Sequence, residues 1–255
     1  HPRFENYIIP TFNLGLKYDD YFIEKYKHFL KQSQENLKVE YDYILEFRNK
    51  SKIMSDKFIG CITSQYKPNS ILYTLKYLVG KFFYFWNVSI KNGNHKLYKK
   101  NNILYSNLIK HFLFYVRLEI KKQILLRKNK YFVTPEKDDM YVYMPLHLIP
   151  ESTTFVKAPF YIDELHIISQ VSKSLPIGCF LYVKEHQSML GERSFEFYNK
   201  VKRFPNVKLV QINYYDDPKP WIENAQGVIT IAGTAAYEAA LLGKRSILFS
   251  DVPFS

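Results

Sequence analysis

Between residues 141 and 250 the chain alternates short apolar runs with helical patterns, and nothing else in the sequence constrains the fold as strongly. The runs that read as strands are Tyr141–Leu146, Cys179–Lys184, Val207–Ile212, Gly227–Ile231 and Ser246–Ser250. Helical periodicity falls between them at Asp163–Leu175, Ser194–Phe204, Pro218–Ala225 and Thr234–Leu242. Strands separated by helices of this length form βαβ units, and hence a parallel sheet with helices on both faces. Pro176 and Gly178, Pro205-Asn206 and Gly243 stand where the turns must be. The expected class is α/β with a Rossmann-like parallel sheet in the C-terminal half.

The first half has a different grammar. Ile71, Leu72, Leu75, Leu78, Val79, Phe82, Phe83 and Trp86 recur with helical spacing. A second helical pattern runs from about Asn102 to Arg127, and Asn92-Gly93-Asn94 marks a turn between the two. Residues 131–139 read as a linker, which divides the chain into a helix-rich part, 1–139, and an α/β part, 140–255. Charge follows the same division. Residues 1–130 carry 24 Lys/Arg against 10 Asp/Glu, whereas residues 131–255 carry 12 against 14. Within 58–130 there are 14 basic residues and one acid, Glu119. Such a basic half suits an anionic partner, whether nucleic acid, lipid headgroups or an anionic glycan; the plain alternative is a set of solvated lysines. The stripe at 71–86 is expected to face a core, the ordinary form of such a helix, with an interfacial helix on anionic lipid as the alternative.

Other classes find little support. With 47% hydrophobic and 24% charged residues the chain can bury a core. Two cysteines, Cys61 and Cys179, exclude a disulfide framework and a four-cysteine zinc site. No run of eighteen uncharged apolar residues occurs. There is no glycine-rich dinucleotide or Walker loop, no serine elbow and no paired-histidine zinc spacing.

Ligands of open parallel sheets bind beyond the carboxyl ends of the strands, so chemistry is sought there. The first such segment, Pro145–Thr154, offers His147, Glu151 and three hydroxyls, though it also reads as a capped turn. After the second strand, Lys184 and His186 suit a phosphate, as point charge and hydrogen-bond donor, and His186 suits proton donation. Asp216 and Asp217 read as caps of the helix at Pro218. In Thr230–Ala240 a strand ends, Gly233 turns the chain and a helix begins near Thr234. Free N–H groups there suit an anion, with Glu238 one turn on to accept from a sugar hydroxyl. Taken alone, that segment reads more readily as a simple helix cap with a surface glutamate.

Taken in order, these segments resemble the bacterial capsule polysaccharide biosynthesis family, which includes the β-Kdo transferases. The resemblance spans about Tyr141 to Phe254 and rests on Pro145–Thr154, Phe180–His186, Gly191-Glu192-Arg193-Ser194 with Phe197-Tyr198, Phe204–Val207, Ile231–Glu238 and Leu242-Gly243-Lys244. It implies a GT-B-like fold and a metal-independent glycosyltransferase that takes a nucleotide-activated sugar, with CMP-Kdo as the family's donor and no further cofactor. By the same resemblance Lys184 and His186 contact the donor phosphate, Gly233 and Thr234 hold the same anion, Glu238 meets the ribose, and His147 lies in the donor region. His186, protonated, is the implied catalytic group at the leaving phosphate. In such two-domain folds the acceptor's base commonly comes from the N-terminal domain; Glu151, by its place after the first strand, is the catalytic candidate in this sequence. The chain departs from the family's pattern at Ile149, where an amide is usual, and at Gln187, where a proline is usual.

The expected partners are the nucleotide-sugar and an anionic glycan or lipid-linked acceptor, with the protein in the cytoplasm and possible peripheral contact at the inner membrane. Nucleic acid is not expected, because the basic half carries its aromatics on a helical stripe rather than a sheet platform. A start at His1 and an end just after a strand suggest a chain truncated at both ends. An epimerase or sialyltransferase-like enzyme on the same fold, or a non-catalytic glycan- or lipid-binding relative, are the alternatives.

Overall fold

In a computed structural model, the described residues are 38–53, 70–93, 108–127, 131–150, 152–210, 215 and 217–250. Helix α1 spans Lys38–Asn49, α2 Ile71–Gly93 and α3 Leu108–Arg127. The α/β part then runs β1 (Met140–Pro145), α4 (Ser152–Lys157), α5 (Glu164–Ser174), β2 (Cys179–Lys184), α6 (Phe195–Val201), β3 (Val207–Leu209), α7 (Lys219–Glu223), β4 (Gly227–Thr230), α8 (Ala235–Leu241) and β5 (Arg245–Leu248). These strands form one sheet in the order β3-β2-β1-β4-β5, and every pairing is parallel. This is the Rossmann-like arrangement expected from the alternation.

Side-chain alternation along the strands explains why both faces are covered. Val142, Met144, Leu181, Val183 and Leu209 pack with Ile167, Ile168 and Val171 of α5 and with Tyr198 and Val201 of α6. Tyr141, Tyr143 and Tyr182 turn the other way, against Trp221 and Ile222 of α7 and Ala239 of α8. Rings carry much of this second layer: Tyr141 stacks on Tyr182 at 4.1 Å and Tyr143 on Trp221 at 5.9 Å. Two helices begin where polar caps stand: Asp163 accepts from the N–H groups of Leu165 and His166, and Ser194 from that of Phe197. Residues 131–139 join the sheet part closely: Tyr131 and Phe132 are buried in its core and the Val133 N–H donates to the Leu209 carbonyl.

Strand β3 is described over Val207–Leu209, and the end of the expected run, residues 211–212, lies outside the described residues. The sequence expectations need two adjustments. Helices α1 and α4 are not among the expected segments, although Val39, Tyr43 and Phe47 of α1 recur at intervals of four residues. The stripe at 71–86 does not face a core. Helices α2 and α3 pair through one narrow seam, where Phe82 meets Phe112 edge-on at 5.5 Å and Gln123 donates to Thr74. Leu78 and Phe82 are partly covered there, while the remainder of the stripe is exposed.

Helix α1 docks on the sheet part through backbone capping. The Lys219 ammonium donates to the carbonyls of Arg48 and Lys50, and the Arg48 guanidinium donates to that of Leu241. Each cation thereby satisfies carbonyls at a helix end.

Candidate functional site

Strand order reverses between β1 and β4, and in an open parallel sheet that reversal opens a crevice at the carboxyl edge. His147 spans it. Its Nε2 accepts from the Ala232 N–H at 3.2 Å and lies 3.0 Å from the Thr230 hydroxyl, while Nδ1 lies 3.3 Å from Glu164. Accepting at Nε2 leaves the ring proton on Nδ1, facing Glu164. His147 is buried and both nitrogens are engaged within the protein, so it ties the two loops of the crevice together and does not present a free ring to a ligand. Gly233 fits over it closely. A Cβ there would meet Thr230 Oγ1 at 2.7 Å and His147 Nε2 at 3.3 Å, which explains the glycine by space rather than by an unusual dihedral angle.

The turn into α8 also differs from expectation. The N–H groups of Ala232 and Gly233 are used by His147 and Thr230, so they face inward rather than toward an anion. The Thr234 hydroxyl does not cap the helix but donates to Glu238 at 3.1 Å, orienting that carboxylate.

Beneath the crevice lies a charged network that the sequence reading missed. Arg193 pairs with Glu164 at 2.5 Å and with Glu185 at 2.9 Å, and donates to the His147 carbonyl. Glu185 also accepts from the Tyr198 hydroxyl and from the N–H of His186, and Glu164 from the N–H of His147. Two carboxylates share one guanidinium among almost fully buried side chains, and burial pushes the Glu185 carboxyl up. A signal for the network existed: Glu185 continues the row Leu181, Val183 on the inward face of β2, where a carboxylate requires a cation.

Alternation sends Lys184 to the opposite side from Glu185. Its ammonium has no hydrogen bond to another described residue, and burial lowers its pKa to about 8 despite the attraction of Asp217 and Glu238. Glu238 shifts the other way, raised by burial and by Asp217, with Thr234 and Lys184 opposing. Asp217 is committed to structure, as anticipated for a cap: its carboxylate accepts from the N–H groups of Lys219 and Ile53. Thus Lys184, Glu238 and Thr234 form one polar group, supplied by β2 and α8.

His186 lies within electrostatic reach of Lys184 and of Arg193. Its Nδ1 accepts from the Ser188 N–H, which places the ring proton on Nε2. Burial first, then the nearby cations Lys184 and Arg193, hold its pKa below the ordinary imidazole value. That direction runs against a charged ring in the ligand-free protein, and Nε2–H is a hydrogen-bond donor in either protonation state. Glu151, the other catalytic candidate, lies outside the described residues. Of the two departures from the family pattern, Ile149 bonds only through its backbone, to the Met189 sulfur, and Gln187 opens the short turn Gln187–Met189 that His186 caps.

Comparison with known proteins adds the following. No family model matches the chain, and no curated protein matches it in sequence. Among solved structures the chain is similar to KpsC, the beta Kdo 2,7 transferase of Thermosulfurimonas dismutans, at 15% identity and a TM-score of 0.37. The match covers 55% of this chain and 44% of that one, so the chain spans less than half of the compared protein.

Proposed function

We propose that the chain binds a nucleotide-activated sugar at the carboxyl edge of its sheet and transfers the sugar to a surface glycan or its lipid anchor. One observation carries the reading: a partly buried ammonium, Lys184, stands at the end of an inner strand, and among the described residues the carboxylates of Asp217 and Glu238 attract it at electrostatic range. An ammonium in that state gains from an arriving phosphate, which adds the charge neutralisation that partial burial weakens. His186 Nε2–H adds a hydrogen-bond donor to the leaving phosphate, and Glu238, oriented by Thr234, accepts from a sugar or ribose hydroxyl. The His147–Glu164–Arg193–Glu185 network holds both crevice loops and so positions these groups. The resemblance of residues 141–254 to capsule biosynthesis enzymes supports a sugar nucleotide as the ligand and CMP-Kdo as the donor. It also supports an anionic glycan or lipid-linked acceptor for the basic half. Glu151, placed after the first strand, is proposed as the base for the acceptor hydroxyl.

A second reading, a glycan- or lipid-binding relative without activity, is favoured by Ile149 and Gln187. Calorimetry with CMP and UDP, followed by incubation with CMP-Kdo and a glycolipid acceptor, separates the two. A transferase releases free CMP with sugar appearing on the acceptor, whereas a binder leaves the donor intact. Thr234→Ala combined with His186→Ala abolishes nucleotide binding with the fold retained, since one residue is exposed and the other heads a loop. Unchanged affinity of this variant, or no affinity of the parent chain for any pyrimidine nucleotide, removes the donor-site assignment.

A further inference from the structure

The hairpin of α2 and α3 leaves a large apolar surface uncovered. Leu72, Leu75, Val79, Phe83 and Trp86 follow one another along α2 at intervals of three and four residues, and each is between 50% and 65% exposed. Leu113, Phe114 and Ile120 add exposed apolar surface on α3. Side chains of this size arrayed along one stripe are not the scattered surface hydrophobics that every protein carries.

Charge on the hairpin is of one sign. Helix α2 contains no acidic residue, and the acid of α3, Glu119, is buried against Gln123. Lys76 and Arg117 are exposed, and the Lys81 ammonium sits over the Tyr77 and Tyr115 rings. An isologous contact with a second copy would set these cations against themselves. A bilayer of anionic lipid instead matches both properties, taking up the apolar stripe below the headgroups and the cations at their level. Tyr73, Tyr84 and Trp86 suit that boundary, where rings with one polar edge concentrate. No helix among the described residues is long and apolar enough to cross a membrane.

We infer that the α2 stripe adsorbs in the plane of an anionic membrane surface, with Trp86 at headgroup depth. This assignment does not depend on the donor site. The test floats the full chain with vesicles of phosphatidylcholine alone and with roughly one-third phosphatidylglycerol. Trp86 reports insertion directly, because the chain's other tryptophan, Trp221, is fully buried. Expected are co-flotation with the anionic vesicles, a blue shift of emission that Trp86→Phe removes, and partial loss of binding in high salt. Val79→Glu with Phe83→Glu, both at exposed positions, lowers the partition coefficient by on the order of a hundredfold or more at unchanged circular dichroism. Lys76→Gln lowers it about fivefold. The inference is overturned by absence of flotation, or by binding that high salt abolishes completely and the two glutamates leave unchanged. It is equally overturned if the chain ignores vesicles and forms a dimer that the glutamates dissociate.

Discussion

Proton linkage at Lys184 tests the donor site without any knowledge of the sugar. Its pKa is lowered from 10.5 to about 8 because burial removes water from the ammonium while Asp217 and Glu238 compensate only in part. A bound phosphate favours the charged form and returns the value toward the ordinary one. If it returns fully to 10.5, nucleotide binding takes up about 0.75 proton at pH 8.5 and about 0.1 at pH 7. The ligand's own second phosphate proton, with a pKa near 6, is already gone at pH 8.5, so uptake there belongs to the protein. Calorimetry in buffers of different ionisation enthalpy measures the uptake as a slope. Lys184→Arg keeps a permanent cation, so it binds CMP with the slope at pH 8.5 removed. A slope that persists in Lys184→Arg, or a parent chain that binds CMP at pH 8.5 with no uptake, refutes the reasoning.

Three further outcomes follow from the same geometry. Lys184→Met stabilises the fold by about 1 to 3 kcal/mol below pH 8, where the parent chain holds a desolvated charge. The difference shrinks as pH rises from 8 toward 10.5, because the folded parent sheds the proton before the unfolded chain does; urea unfolding at pH 7 and pH 10 reads it, and an equal difference at both sinks it. Arg193→Met leaves Glu164 and Glu185 buried without their cation and destabilises by about 3 to 5 kcal/mol in urea unfolding. A loss below about 1 kcal/mol shows that the network is not buried as described. Gly233→Ala drives a methyl toward Thr230 and His147 and costs about 1 to 3 kcal/mol, with weaker nucleotide binding from a displaced crevice; an unperturbed melting temperature contradicts that packing.

Much of the α/β half was legible because its signals are local. Strand β2 lies where Cys179–Lys184 was read, and α5 begins after the Asp163 cap, since apolar alternation, caps and Pro or Gly turns act over a few residues. The candidate site was legible only by position. That Lys184, His186, Gly233, Thr234 and His147 lie beyond strand ends follows from the alternation. Which of them faces a ligand does not: His147 and the N–H groups of Ala232 and Gly233 are consumed by partners more than eighty residues away or by the turn itself.

What the chain's residues determined by themselves is the parallel sheet, its two covered faces and the sign of the charge on its first half. Tertiary structure decided that Arg193 serves two buried carboxylates, that burial lowers the pKa values of Lys184 and His186, and that the α2 stripe turns outward. These outcomes rest on desolvation and on contacts between distant segments, and neither is encoded in the period or identity of neighbouring residues.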